Sequence, residues 1–156
     1  MDIIYFNSLT QEEKELLFQA PAAVAYLIGG ADNDFDKKQV EQSKHIVKLR
    51  SSFGDSLLFD YFTTVNDNFE TSLSAIVQKY QHLQAEERTT VLVNELTALN
   101  DIFAKLDTIY VKALVNSLRS YAKEVAKASG GFLGMLDINY EEEHLIGLEM
   151  LTINED

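Results

Sequence analysis

The sequence predicts an all-α fold, and three observations carry that prediction. Apolar residues recur at spacings of three and four over long stretches. No segment shows sustained period-two alternation, and Val, Ile and Thr are scattered rather than gathered between turns. One Pro and seven Gly in 156 residues leave few helix breakers, and most of them fall between the periodic stretches. The expected arrangement is a single compact domain over residues 1–156, with about seven helices and no linker.

The elements follow in order. Thr10 and Glu13 form a capping-box pair ahead of Leu16, Leu17 and Phe18. Pro21 suits the first turn of a second helix, where its missing N–H costs nothing. Residues 22–28 then run apolar until Gly29 and Gly30 stop them. Asp36 reads as the next N-cap, with Gln39 three residues on, and that helix should reach about Arg50 with Val40, Ile46 and Val47 inward. A short break over residues 51–55 contains Gly54. Leu58, Phe62, Val65, Phe69, Leu73, Ile76 and Tyr80 form the next stripe. Asn66, Asp67 and Asn68 interrupt it with poor helix formers, so one bent helix and two short ones both fit. Leu92, Leu96, Leu99, Phe103 and Leu106 make the cleanest stripe. Asp107 can cap a helix that turns Val111, Leu114, Leu118, Tyr121 and Val125 inward and ends at Gly130 and Gly131. Asn139 and Glu142 open a last helix carrying Leu145, Ile146 and Met150.

Composition excludes several functions. Zero Cys removes thiolate metal sites, iron–sulfur clusters and cysteine nucleophiles. The net charge is −12, from 25 acidic and 13 basic residues, and no basic cluster exists beyond Lys37, Lys38 and the Lys44, Lys48, Arg50 group. Nucleic acid, which needs a basic face, is therefore not an expected partner. Residues 137–156 hold seven acids and no Lys or Arg, which serves solubility or attracts a cation or a basic partner. No run of some twenty apolar residues suits a membrane span. The first residues lack the basic region and apolar stretch of a signal peptide, so a cytoplasmic location is expected.

Two segments resemble one another. Val24, Ala25, Gly29 and Gly30 follow the pattern V-A-x-x-x-G-G, as do Val125, Ala126, Gly130 and Gly131. Asp34 to Gln39 and Asp137 to Glu142 both read as acid, apolar, N-cap, two helical residues and capping-box acceptor. The repeat suggests a pseudo-twofold helical fold with two equivalent acidic turns. Ala31-Asp32-Asn33-Asp34-Phe35-Asp36-Lys37-Lys38-Gln39 resembles the A-D-G-x-I-x-x-x-E signature of the tellurite-resistance TerB-like superfamily. The segment from Ala128 to Glu142 is similar to the corresponding motif in that family's other half. The likeness covers roughly residues 15–150. It implies a compact helical domain of a bacterial protein, divalent-cation binding at the acidic turns, and association with stress-response or membrane-proximal complexes; it does not imply an enzyme. Asn33 replaces the motif Gly and Gln39 the motif Glu, and the second turn lacks the D-G pair.

Asp32, Asp34 and Asp36 alternate, and oxygen ligands at this spacing suit Ca²⁺ or Mg²⁺. An EF-hand is refused, because its Gly and Glu positions hold Lys37 and Ser43. Convergence with Asp137, Glu141 or Glu142 would crowd carboxylates enough to demand a cation or basic partner. Glu141 and His144 share a helix face in an E-x-x-H spacing, but Gln42 precedes His45 and Lys79 precedes His82, so a second such pair is missing. No G-x-S-x-G or phosphate-loop motif occurs. Tyr5, Phe6, Leu9, Phe132, Leu133, Met135 and Leu136 have the least periodic support, and the run from Gly131 to Leu136 either plugs the core or docks a partner or a second copy of the chain.

The leading expectation is a non-catalytic interaction module binding a protein partner, with Ca²⁺ or Mg²⁺ held by Asp32, Asp34, Asp36, Asp137 and Glu142. Helix capping by the same acids is the competing reading. The alternatives are a metal-dependent enzyme built on Glu141 and His144, and a structural module that assembles as a homo-oligomer.

Overall fold

The computed structural model describes residues 3–30, 37–129 and 144–153. The described residues are helical, with no strand among them. A 3-10 turn over Ile4–Phe6 leads into α1 (Gln11–Gly29) and α2 (Lys37–Phe53). A second 3-10 turn, Ser56–Leu58, precedes α3 (Phe59–Tyr80), α4 (Ala85–Thr97), α5 (Leu99–Phe103) and α6 (Thr108–Ser129). The described residues thus hold six α-helices where the sequence predicts about seven.

Helix α1 is the centre of the molecule and packs against α2, α3, α4, α5 and α6. Its start is the expected capping box: Thr10 Oγ1 accepts from Glu13 N at 3.1 Å, and Thr10 N donates to Glu13 Oε1 at 2.9 Å. Lys105 Nζ donates to Glu13 Oε2 at 2.8 Å, tying the turn before α6 to the first turn of α1. This lysine, and then Thr10, holds the Glu13 carboxyl below its ordinary range. The contribution of that contact is present at neutral pH and is lost as pH falls through the lowered value.

Every residue from Ala20 to Gly29 is buried, so the second half of α1 is apolar all round, as befits a helix wrapped by others. Pro21 does not open a second helix. It lies inside α1, where a proline deprives the carbonyl four residues earlier of its helical donor. That carbonyl belongs to Leu17, and Tyr61 of α3 supplies the missing donor: its hydroxyl donates to Leu17 O at 2.5 Å. Phe6, Phe18 and Phe62 surround the Tyr61 ring at centroid distances of 5.1–6.4 Å. The continuous helix therefore rests on a tertiary bond that local sequence does not announce.

Helix α3 is one helix through Asn66, Asp67 and Asn68, not two. Burial of Phe62, Val65 and Phe69 on either side outweighs poor local propensity. Asn68 Nδ2 donates to Thr64 O at 3.0 Å within the same helix. Helix α2 runs three residues beyond Arg50 and ends where Gly54 N donates to Arg50 O at 3.1 Å. Val47 is buried as expected, with Val40 and Ile46 half-buried against the core. The Leu92 stripe divides between α4 and α5, with Leu92, Leu96, Leu99 and Phe103 all buried. Asp107 caps α6: its Oδ1 accepts from Ile109 N at 2.9 Å.

The last described segment departs from expectation. Residues 144–146 make a helical turn, but the chain turns again through residues 147–150, so Met150 is not on a continued helix. Leu148 adopts φ 45°, which a helix cannot contain. Its complete burial, with Leu151 beside it in the core, offsets the roughly 1–2 kcal/mol of that conformation. Asn100 fastens this strap twice: its Nδ2 donates to Met150 O at 2.8 Å, and its Oδ1 accepts from Thr152 N at 2.9 Å. Arg119 Nη2 donates to Leu151 O at 2.8 Å. Asn100→Ala should accelerate amide exchange in residues 144–153 by about tenfold, matching the loss of roughly 1–2 kcal/mol for two bonds. Protection in α1 should stay unchanged. Equal exchange in the strap before and after the substitution would show that its apolar residues alone hold it.

Candidate functional site

The acids expected to hold a cation (Asp32, Asp34, Asp36, Asp137 and Glu142) lie outside the described residues, as do Glu141 and the apolar run Phe132, Leu133, Met135 and Leu136. Among the described residues, no group of three or more His, Asp or Glu side chains is placed to hold a metal ion. His144 Nδ1 meets the Glu149 carboxylate on the strap. His45 and His82 are exposed on α2 and just beyond α3.

Burial pushes Tyr61 well above its ordinary value, with Tyr110 adding to the effect. Burial likewise raises Tyr110, helped by the Asp60 carboxylate and by Tyr5. Burial dominates at Tyr121 too, although its hydroxyl donates to Ser43 O at 3.2 Å. A groove of about 280 Å³ between α2 and α3 is lined by Val40, Glu70, Leu73, Ser74 and Val77. Its carboxylate, Glu70, already has Lys44 Nζ at 3.2 Å.

Two arginines organise the polar interior. Arg88 of α4 is buried, its Nη2 donates to the carbonyl of Gly30, and its guanidinium lies 5.0 Å from the Tyr26 ring centre. Gly30 closes α1, where N–H to Tyr26 O at 2.9 Å brings the chain in tightly. A Cβ there would stand 2.7 Å from Tyr26 O and 3.0 Å from Tyr26 Cδ1, which explains the glycine. A cation at the negative end of the α1 dipole, packed on an aromatic face, is a clamp between α1 and α4. The sequence carries a signal for it. Arg88 lies four residues before Leu92 and eight before Leu96, on the inward stripe.

Arg50 clamps α2 to α6. Its Nη1 donates to Ser117 Oγ at 2.9 Å, and its Nη2 to Ser120 Oγ at 2.9 Å and Glu124 Oε1 at 3.0 Å. The guanidinium also lies about 6 Å from the Phe62 and Tyr121 rings. Ser43 lies beside Tyr121 of α6, so two positions of α2 are tied to α6.

Several large apolar side chains of the molecule are exposed to solvent. Tyr5 stacks on Tyr110 at 4.6 Å, which seats the first 3-10 turn against the start of α6. The Ser56–Leu58 turn also packs on α6. Ile4, Phe53, Phe59 and Ile109 belong to or adjoin these elements and are 75%, 83%, 51% and 74% exposed. Single exposed apolar residues are ordinary, and it is a contiguous group of them that marks a contact surface. Periodicity misses them because they fall off the inward stripes.

Comparison with known protein families, curated proteins and solved structures finds no match to this chain. No helix among the described residues is long and apolar enough to cross a membrane.

Proposed function

We propose that this chain is a non-catalytic helical interaction module that docks a protein partner on the end face formed by Ile4, Phe53, Phe59 and Ile109. The exposure of these four large side chains, on the first 3-10 turn, the end of α2 and the starts of α3 and α6, carries the reading. Burying one such side chain against a partner recovers about 1.5–3 kcal/mol. The TerB-like, pseudo-twofold, bacterial and cytoplasmic setting is part of the proposal. It rests on the likeness of residues 31–39 to the family signature. Packing of α1 against α6 is compatible with it, as is burial of the paired Val24, Ala25 and Val125, Ala126. Ca²⁺ or Mg²⁺ binding by the two acid-rich segments is proposed as a modulator of docking.

One experiment addresses both parts. Quantitative affinity capture is run with the wild type and with Phe53→Ser/Ile109→Ser, in chelator and in millimolar Ca²⁺ or Mg²⁺. Thermal unfolding is recorded alongside. The double variant should lose captured partners at least tenfold while its midpoint stays within a few degrees. Leu16→Ser, an exposed position on α1, should change neither. A cation at a hundred times its dissociation constant adds about 2.7 kcal/mol, hence a rise of about 5–11 °C that Asp34→Asn abolishes. Undiminished capture by the double variant sinks the docking surface. An unmoved midpoint in every ion reduces the acids to helix caps.

A further inference from the structure

We infer that the seat of the 144–153 strap is a second docking site, filled in cis by the strap and taken in trans by a partner turn with leucines three residues apart. The inference goes beyond the end face and does not depend on it. The strap is built like a ligand. Backbone bonds close within it: Leu148 N donates to Leu145 O at 3.0 Å, Glu149 N to His144 O at 3.3 Å, and Leu151 N to Leu148 O at 3.0 Å. The first two end a helical turn at a left-handed residue, which is Leu148 at φ 45°. The third closes a turn with Leu148 and Leu151 at its two ends, both fully buried. Glu149, between them, is exposed, so that position is free to vary.

Side chains of the bundle grip this turn by its backbone. Asn100 of α5 takes Met150 O and Thr152 N, and Arg119 of α6 takes Leu151 O, so three consecutive residues are held. Backbone grips follow the path of a chain and ignore its side chains, while pockets for particular side chains supply the selection. Here the two buried leucines select. Leu148 is the first residue of the 148–151 turn, so its φ sets only the direction from which the chain enters. The left-handed value serves a strap that arrives from the helical turn at residues 144–146. A partner segment entering from another side needs no left-handed residue and escapes that cost. The strap is thus a strained occupant, and an apolar turn on another protein can take its place.

The test uses the full chain and a labelled synthetic peptide with the sequence of residues 144–153, followed by fluorescence anisotropy. Leu148→Ser/Leu151→Ser in the protein empties the seat of its own strap. This variant should bind the peptide at least tenfold tighter than the wild type, in which the cis strap competes. A peptide with Ser at both leucine positions should not bind. Adding Asn100→Ala to the double variant should weaken binding about tenfold, because two bonds to the peptide backbone are lost. Phe53→Ser/Ile109→Ser should leave binding unchanged, which separates this seat from the end face. A second measurement needs no altered strap. In isotope-labelled wild type, unlabelled peptide should speed amide exchange of residues 144–153 in proportion to its concentration, with α1 unaffected. Equal binding by wild type and double variant, or binding untouched by Asn100→Ala, would overturn the inference. Strap exchange unmoved by millimolar peptide would make the strap a permanent clasp and overturn it too. A concentration-dependent wild-type dimer that Leu148→Ser/Leu151→Ser dissolves would give the seat to a second copy of the chain, overturning the separate partner.

Discussion

Arg88→Ala should lower the unfolding free energy by about 2–4 kcal/mol, among the larger effects available to a single substitution here. Two losses add. The Gly30 carbonyl, buried at the end of α1, loses a charge-assisted bond, and an unsatisfied buried acceptor costs roughly 1–3 kcal/mol. The Tyr26 ring loses the cation packed on its face, worth about 0.5–2 kcal/mol. At about 2–4 °C per kcal/mol, the midpoint should fall by roughly 4–16 °C. Arg88→Met separates the parts, since it retains an apolar stem against Tyr26 and removes the donor. It should recover part of the loss, and Arg88→Lys should not recover all of it, because an ammonium lacks the planar face. Denaturant titration of the three variants decides. If Arg88→Ala falls within about 0.5 kcal/mol of the wild type, the guanidinium does not hold α4 to α1.

The second large effect belongs to the pair Pro21 and Tyr61. Tyr61→Phe should cost about 1–3 kcal/mol, because Leu17 O has no helical donor and would be left bare in the core. In a Pro21→Ala background the same substitution should cost well under 1 kcal/mol. The alanine would then provide the N–H that proline withholds. The double-mutant cycle should therefore show a coupling of about 1–2 kcal/mol. Tyr110→Phe provides the comparison. The Tyr110 hydroxyl is buried and makes no hydrogen bond among the described residues, so its removal should leave stability equal or higher. Strict additivity of Pro21→Ala and Tyr61→Phe would show that the helix tolerates its proline by some other means.

These residues also show where local sequence is informative and where it stops. The Thr10–Glu13 box, the Asp107 cap and the stripes of α3, α4 and α6 are legible because their partners lie within a few residues. Pro21 misleads because its local preference is for a helix start, whereas the hydroxyl that admits it inside α1 lies 44 residues away. Asn66, Asp67 and Asn68 leave α3 ambiguous, since only the packing of Phe62, Val65 and Phe69 decides between one helix and two. Met150 reads as helical because nothing in Leu145 and Ile146 signals the left-handed turn at Leu148. Arg88 lies in plain view on the Leu92 stripe, but a lone charge there reads as solvent-facing until Gly30 and Tyr26 are brought beside it. The residues of the proposed docking face escape periodicity for the opposite reason: Phe53, Phe59 and Ile109 are among the apolar residues that the stripes leave over. The acids of the two expected cation turns lie outside the described residues, so their legibility rests on the sequence pattern alone.

The central place of α1 has a consequence for synthesis. This helix emerges from the ribosome ahead of every helix that covers it. Its wholly apolar half, Ala20 to Gly29, is complete about 100 residues before α6 ends. At translation rates of about 5–20 residues per second, that stretch waits roughly 5–20 s for its last neighbour. The nascent chain thus carries a chaperone-grade apolar segment while the helices that will cover it are still being made. Slowing elongation after α1 should lower the soluble yield of the protein more than slowing it after α6.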